Sequence, residues 1–523
     1  MRKLITTGLI AVLAIVMGAA TVQAQNPTSG TTGPLTWKYD TGTKTLTISG
    51  KGDMPNYTWE HPAPWQDHSQ EMLMLVVEEG ITGIGDHAFR NVRNLVSATF
   101  PKSLTRIGDE AFASCLNLPM VTLPAGVTSI GDYAFSYCGN LALATLPAGL
   151  QEIGFGAFLG CEKLSAVTIP AGVKKIGEGA FAGCGSLPTI TVAAGNTKYV
   201  AVDGVLFYKD KTVLLQYPAG RAATSYVIPA EVTNIVDEAF SLAYNLTAVT
   251  LPIGLTFIGN HAFVNCSRLT SITIPAAVKT IGENAFTFCQ ELTEIKVEAA
   301  NTAYTSADGV LFDKAKKTLI RYPEGRNATT YTIPATVKKI GEGAFFRSGL
   351  TSAVIPDGVD TIASRTFGWC EKLASVTLPS SVKEIRFTAF YGCKSLKNIT
   401  VGAKTPPAIN ENESVFGQVP VANVTLTVPK GSKAAYAAAP VWKEFKQISE
   451  STVGNVTLPE ARIYAAGGRL YLTLQTAAPV GVYTLNGVLV RTFSAPAGET
   501  TVALPQGVYI VQVGDTAEKV YVN

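Results

Sequence analysis

One phrase of 23 residues recurs along the chain and limits what it can become. It runs Cys161-Glu-Lys-Leu164-Ser-Ala-Val167-Thr168-Ile169-Pro170-Ala-Gly-Val173-Lys-Lys-Ile176-Gly177-Glu-Gly-Ala180-Phe181-Ala-Gly183, and Cys184 begins it again. Its phenylalanine returns at Phe89, Phe112, Phe135, Phe158 and Phe181, then at Phe240, Phe263 and Phe286, then at Phe345, Phe367 and Phe390. A fixed period in this range marks a repeat architecture. Within a unit, Val167 and Ile169 alternate with Thr168, so two side chains share one face of a short strand. Pro170 lacks the N–H needed to continue it. Ile176, Ala180 and Phe181 follow at i, i+4 and i+5, a spacing that predicts a short helical or irregular turn with its apolar side inward. No unit buries this stripe alone. Stacking pairs each strand in parallel with its neighbours and builds one continuous core, so the chain reads as a solenoid.

The phrase C-x-x-L-x-x-V-T-I-P-x-x-V-x-x-I-G-x-x-A-F resembles the BspA-type leucine-rich repeat of bacterial surface proteins, over roughly residues 34–450. The expected fold is therefore an α/β repeat: a leucine-rich-repeat solenoid with a parallel β-sheet face, caps at both ends and a small C-terminal all-β sandwich. Ile235-Val236, Ile362-Ala363 and Ile385-Arg386 depart from the Ile-Gly of the pattern at a turn rather than in the core stripe.

Taken in order, residues 1–24 read as a secretory signal peptide. Arg2 and Lys3 precede an apolar stretch from Leu9 to Ala20, and Val22-Gln23-Ala24 is a small-residue cleavage site. Residues 25–80 read as a linker and N-terminal cap, in which Leu35-Thr-Trp37-Lys-Tyr39 and Thr45-Leu46-Thr-Ile48 alternate as a hairpin. The family shares this opening, with its L-T-W, L-T-I-S-G and A-P-W segments. Residues 81–401 are the solenoid. It is broken twice, near 196–229 and 301–334, by two similar insertions 105 residues apart, each read as a hairpin. The insertions could be decorated turns or protruding recognition elements. Residues 402–450 read as a C-terminal cap. Residues 455–523 read as a β-sandwich with a two-residue turn at Asn486-Gly487. Their V-Y-T-L-N-G-V-L-V and L-P-Q-G-V-Y-I-V-Q-V segments resemble the C-terminal sorting domain of type IX secretion cargo.

All eight cysteines occupy one slot, three residues after the phenylalanine, at 115, 138, 161, 184, 266, 289, 370 and 393. A metal site needs ligands that converge, and this row does not. A disulfide needs Cβ atoms closer than stacked side chains bring them. Val92 and Ala243 fill the same slot elsewhere, so a ladder of free, buried thiols is the favoured reading. His61, His68, His87 and His261 have no ligand-like spacing and read as surface or cap-loop residues.

The position between the two inward strand residues is nearly always threonine: Thr99, Thr122, Thr145, Thr168, Thr191, Thr250, Thr273, Thr377 and Thr400, with Lys296 and Val354 as exceptions. Threonine is a good strand former on an outward face. The same row is also a candidate binding surface, broad and nearly uncharged. Candidate binding residues are Thr122, Thr145, Thr168, Thr191, Thr250 and Thr273 on this face, and Tyr199, Tyr217, Tyr304 and Tyr322 around the insertions. No catalytic constellation, metal set or cofactor motif emerges. A net charge of +3 from 42 basic and 39 acidic residues gives no footprint for nucleic acid. No apolar run after the leader is long enough to span a bilayer. The resemblance implies a secreted or surface-attached, non-enzymatic adhesion protein that binds extracellular or host proteins or other bacterial surfaces. The alternative is a carbohydrate-binding or nutrient-capture protein, which requires the four tyrosines to be exposed together.

Overall fold

A computed structural model describes residues 26–451, 461–466, 468–474, 477–485, 488–513 and 516–522. The expected leader, with its expected cleavage site near Ala24, and the expected Asn486-Gly487 turn lie outside these residues. The chain divides into two units, meeting between Lys198 and Tyr199.

In the first unit, Ser29–Thr32, Leu35–Asp40 and Thr45–Gly50 form an antiparallel sheet. Its last strand pairs in parallel with Met74–Val77, which pairs in parallel with Ser97–Thr99. The switch from antiparallel to parallel converts a hairpin into the start of a stack. Trp37, Tyr39 and Trp65 close the core end, and the Trp65 indole N–H donates to the Ala88 carbonyl at 2.8 Å.

Each later turn contributes a strand to two parallel ladders. One is made of Val-Thr segments paired two by two, Met120–Thr122 with Leu143–Thr145 and Val167–Ile169 with Ile190–Val192. The other holds two-residue strands, Arg106–Ile107, Ser129–Ile130, Glu152–Ile153 and Lys175–Ile176. Of the expected helical or irregular turn, the residues after the isoleucine form an irregular one, while the isoleucine itself lies in a second short strand. The isoleucine needs only an extended pair to point inward, because each two-residue segment finds hydrogen-bond partners in the turns on either side.

The Ala-Phe segment makes a third line of contacts. The residue before Ala-Phe and the residue two after Phe have positive φ, as at Glu110 (49°) and Ser114 (61°). Alternating hands turn successive N–H groups toward the next turn. Glu110, Phe112 and Ser114 donate to the carbonyls of Asp132, Ala134 and Ser136 at 2.7–2.8 Å. Leu242, Phe288, Trp369 and Thr388 hold the same left-handed conformation despite their bulk, which is costly for such residues. Glycine after the isoleucine answers a different demand, since a Cβ on Gly154 would lie 2.4 Å from the Gly131 carbonyl carbon. The aspartates after these glycines tie turn to turn: Asp86 accepts the Asp109 N–H at 2.9 Å, and Asp109 that of Asp132 at 2.7 Å.

The phenylalanines form a ring stack through this unit. Trp65, Phe89, Phe112, Phe135, Phe158 and Phe181 follow with centroids 5.2–5.6 Å apart and planes within 27°.

The second unit opens on three antiparallel strands, Tyr199–Val202, Val205–Tyr208 and Val213–Gln216. The last pairs in parallel with Asn234–Ile235, which pairs in turn with Phe257–Ile258, and so starts a ladder of two-residue strands within this unit. The second insertion repeats this with Tyr304–Ala307, Val310–Asp313 and Thr318–Arg321, down to a bulge in the same place. Both insertions are three-stranded, and Val205, Leu206, Phe207 and Leu214 are buried, so they build wall. The ring stack of this unit includes Phe240, Phe263 and Phe286, and Phe345, Phe367, Phe390 and Phe416. Helix Lys433–Ala438 and Trp442 cover the last turns, with the Tyr436 hydroxyl donating to the Ala403 carbonyl and the Trp442 indole to that of Pro407. The described residues of 461–522 form a three-stranded and a four-stranded antiparallel sheet over a common core of Leu470, Leu472, Val480, Val482, Val511 and Val520.

Candidate functional site: the threonine face

The Val-Thr ladder puts threonines in register along its outer surface. Thr122 faces Thr145, and Thr168 faces Thr191 with hydroxyl oxygens 2.6 Å apart. Thr122, Thr145, Thr168 and Thr191 are exposed, as are Thr250 and Thr273 in the second unit. Several hydroxyls also bond the neighbouring turn: Thr99 donates to the Leu75 carbonyl at 3.3 Å and Thr191 to that of Val167 at 3.0 Å. The column thus presents methyls and partly satisfied hydroxyls on a backbone held by ladder pairing. Titratable groups on the face are few, and Lys296 and Glu294 pair with each other at 3.0 Å.

The threonines have apolar company. Met120 and Leu143 sit two residues before Thr122 and Thr145, hence on the same face. They are in register and 50% and 44% exposed. Met74 holds the equivalent place, and Val96 and Leu116 are exposed nearby in sequence. Sequence reasoning missed this strip because it read threonine as the whole face. The i−2 position on a period-two strand was the available signal.

The tyrosines stand elsewhere. Tyr217 and Tyr322 are buried and extend the ring stack, 5.1 Å from Phe240 and 5.3 Å from Phe345. Tyr199 is also buried, and Tyr304 is half-buried with its hydroxyl accepting the Ile281 N–H. The exposed aromatic cluster expected around the insertions does not form, because each insertion turn lacks Ala-Phe and places a tyrosine in the phenylalanine slot.

A family model described as the BspA type leucine rich repeat region matches six copies, over residues 69–201, 219–325 and 322–430. The chain belongs to the BspA-type leucine-rich repeat family. None of the curated proteins matches it. Similar solved structures include a leucine-rich repeat protein from Eubacterium ventriosum, 26% identical, with 82% of this chain and 98% of that one covered and a TM-score of 0.49. A leucine rich cell surface protein from Faecalibacterium prausnitzii is 24% identical, with coverage of 75% and 98% and a TM-score of 0.44.

The BspA-type turn uses cysteine as a donor. All eight cysteines are free and buried. Each thiol reaches the carbonyl of the phenylalanine one turn back, as Cys138 does to Phe112 at 3.1 Å and Cys393 to Phe367 at 3.1 Å. Ser348 fills the slot in the first turn after the second insertion and lies 3.3 Å from the Cys370 sulfur. Burial pushes the Cys184 and Cys266 thiols up to about 12. A thiol-specific chromogenic reagent at pH 8 should therefore find almost no reactive thiol in the folded chain and eight after unfolding. Ready labelling of the native protein would contradict the ladder. An unfolded thiol ionises near 9 and a folded one near 12, so stability is full below pH 9 and falls as pH rises through that interval.

Among the histidines of this BspA-type chain, His68 is buried against the Tyr39 ring, with Nε2 2.8 Å from the Pro27 carbonyl oxygen, rather than in an open cap loop. Among the described residues no group of three or more His, Cys, Asp and Glu is placed to hold a metal ion, and no helix is long and apolar enough to cross a membrane.

Proposed function

We propose that the chain is a secreted or surface-attached bacterial interaction protein that holds extracellular protein partners on its threonine face. The observation carrying this reading is the run of exposed threonines flanked by Met120 and Leu143 on a face with almost no titratable groups. Apolar area mixed with hydroxyls on a rigid sheet resembles the centre of a protein interface, and an extended repeat surface spreads contact over many turns. The face offers no general acid, base or nucleophile in a pocket, so the reading is non-enzymatic. In this reading residues 1–24 export the chain. The 455–523 domain serves as a type IX sorting signal, retained on or removed at the outer surface, and the partners are host matrix proteins or other bacterial surfaces.

The test uses the protein without its leader, titrated against immobilised extracellular-matrix proteins. Met120→Lys combined with Leu143→Lys should weaken saturable binding by about tenfold or more, the equivalent of ~1.4 kcal/mol, with an unchanged thermal midpoint. Binding that is indifferent to both charges would move the site off this face.

A further inference from the structure

The two insertions are an internal comparison: one fold element built twice, 105 residues apart, with different residues at a few places. Where the first has Gln216, Ala219, Ala222 and Leu242, the second has Arg321, Glu324, Asn327 and Arg347. Counting two residues from the following phenylalanine, Asn265 in the first corresponds to Trp369 in the second. The backbone is the same in both, with the same strands and the same bulge.

The first version needs no charge. The Gln216 amide donates to the Tyr217 and Ala239 carbonyls at 3.3 and 3.2 Å. The second buries a full ion pair. Arg321 donates to the Gly343 carbonyl at 2.6 Å and to Glu324, with side chains only 5% and 3% exposed. Glu324 Oε1 also accepts the Phe288 N–H at 2.7 Å, while Oε2 is buried without a hydrogen-bond partner. Desolvating two charges is costly. The first insertion shows that the fold does not require it.

The ion pair underlies a cavity of about 420 Å³ that the second insertion shares with the next two turns. Glu324, Asn327, Arg347, Lys372 and Trp369 line it. Trp369 is half-buried at φ 58°. Asparagine, its counterpart, suits that left-handed conformation, which the repeat also imposes at Leu242 and Phe288, so the departure here is the indole itself and not the backbone. Lys394 and Tyr391 flank the indole, 5.4 and 5.5 Å from its ring. Glu371 is neutralised by Lys394 at 2.9 Å, so Arg347 and Lys372 leave the mouth cationic.

We propose that this cavity binds an acidic saccharide. Hydroxyls of a pyranose both donate and accept, which answers an unpartnered carboxylate oxygen beside Asn327 and arginine donors. The apolar face of the ring suits the indole. A sugar carboxylate matches the Arg347 fork. Its residues belong to the second unit, whereas Met120 and Leu143 belong to the first, so the proposal does not rest on the threonine face.

The test uses the protein without its leader in calorimetric titrations with trigalacturonate, 3′-sialyllactose and, as the neutral control, lactose. The variants are Arg347→Leu and Trp369→Asn, which install residues that the first insertion already carries in the same backbone. At least one acidic probe should bind saturably, lactose should not, and each variant should weaken binding by about tenfold or more without moving the thermal midpoint. No saturable binding up to about 10 mM, equal binding of lactose, or binding untouched by both variants would each overturn the assignment. None of these outcomes would bear on the matrix-protein titration, whose residues belong to the other unit.

Discussion

Phe158→Ala lowers the stability of the first unit by about 3–5 kcal/mol. The ring is fully buried between Phe135 at 5.5 Å and Phe181 at 5.6 Å, with planes within 8° of both. Removing it leaves a void that neighbours fill poorly. The Phe158 N–H is fixed to the Ala180 carbonyl at 2.8 Å, and its own carbonyl accepts the Cys161 N–H and the Cys184 thiol. A backbone held on both sides cannot collapse inward, which puts the loss at the upper part of the range for large-to-small changes. Phe387→Ala is the control, because that ring is 42% exposed and its removal costs within about 0.5 kcal/mol. Urea unfolding of the two variants measures both. A loss below about 1 kcal/mol for Phe158→Ala would mean that the ring stack follows the fold without stabilising it.

The buried pair in the second insertion should behave asymmetrically. Arg321→Ala costs about 3–5 kcal/mol, because it strands Glu324 in a site already short of partners. The double change Arg321→Gln with Glu324→Ala restores the residues of the first insertion and is neutral or stabilising by about 1–4 kcal/mol. Thermal unfolding of the three proteins decides it. A double variant as weak as Arg321→Ala would mean that the pair supports the fold after all. Burial holds the Glu324 carboxyl above its ordinary 4.5 even with Arg321 beside it. An unfolded glutamate loses its proton first as pH rises, so the penalty in Arg321→Ala grows above pH 4.5 and shrinks toward acid.

Much of this architecture can be read from residue spacing, because each unit repeats the same physical problem. The 23-residue period announces stacking, Val167 and Ile169 announce an inward strand face, and the cysteine slot, shared with Val92 and Ala243, announces burial. The second ladder is less legible. A two-residue strand such as Lys175–Ile176 carries no alternation of its own and imitates a helical i, i+4 spacing with Ala180. The tyrosines mislead for another reason. Tyr217 and Tyr322 stand 23 residues before Phe240 and Phe345, the period of the rings they join. Their hydroxyls nevertheless invite a surface reading. The candidate face is half legible, since Thr122 and Thr145 declare themselves while Met120 and Leu143 pass as ordinary strand residues. The cavity beside Trp369 is not legible, because its walls come from turns that meet only when stacked.

The left-handed segments give the stack a direction in time as well as in space. Glu110, Phe112 and Ser114 donate only to carbonyls that lie 22 residues later. As the polypeptide is made, the newest turn therefore has three outward-pointing donors that nothing upstream can satisfy. It waits for the segment still to be synthesised. Assembly can start at the amino-terminal sheet and advance one turn at a time, but the most recent turn remains adhesive until its successor arrives. A truncated product would end in such an open turn and would be prone to pair with another copy. The buried Trp442 and the short helix before it are thus the last parts of the stack to be made and the ones that end this exposure.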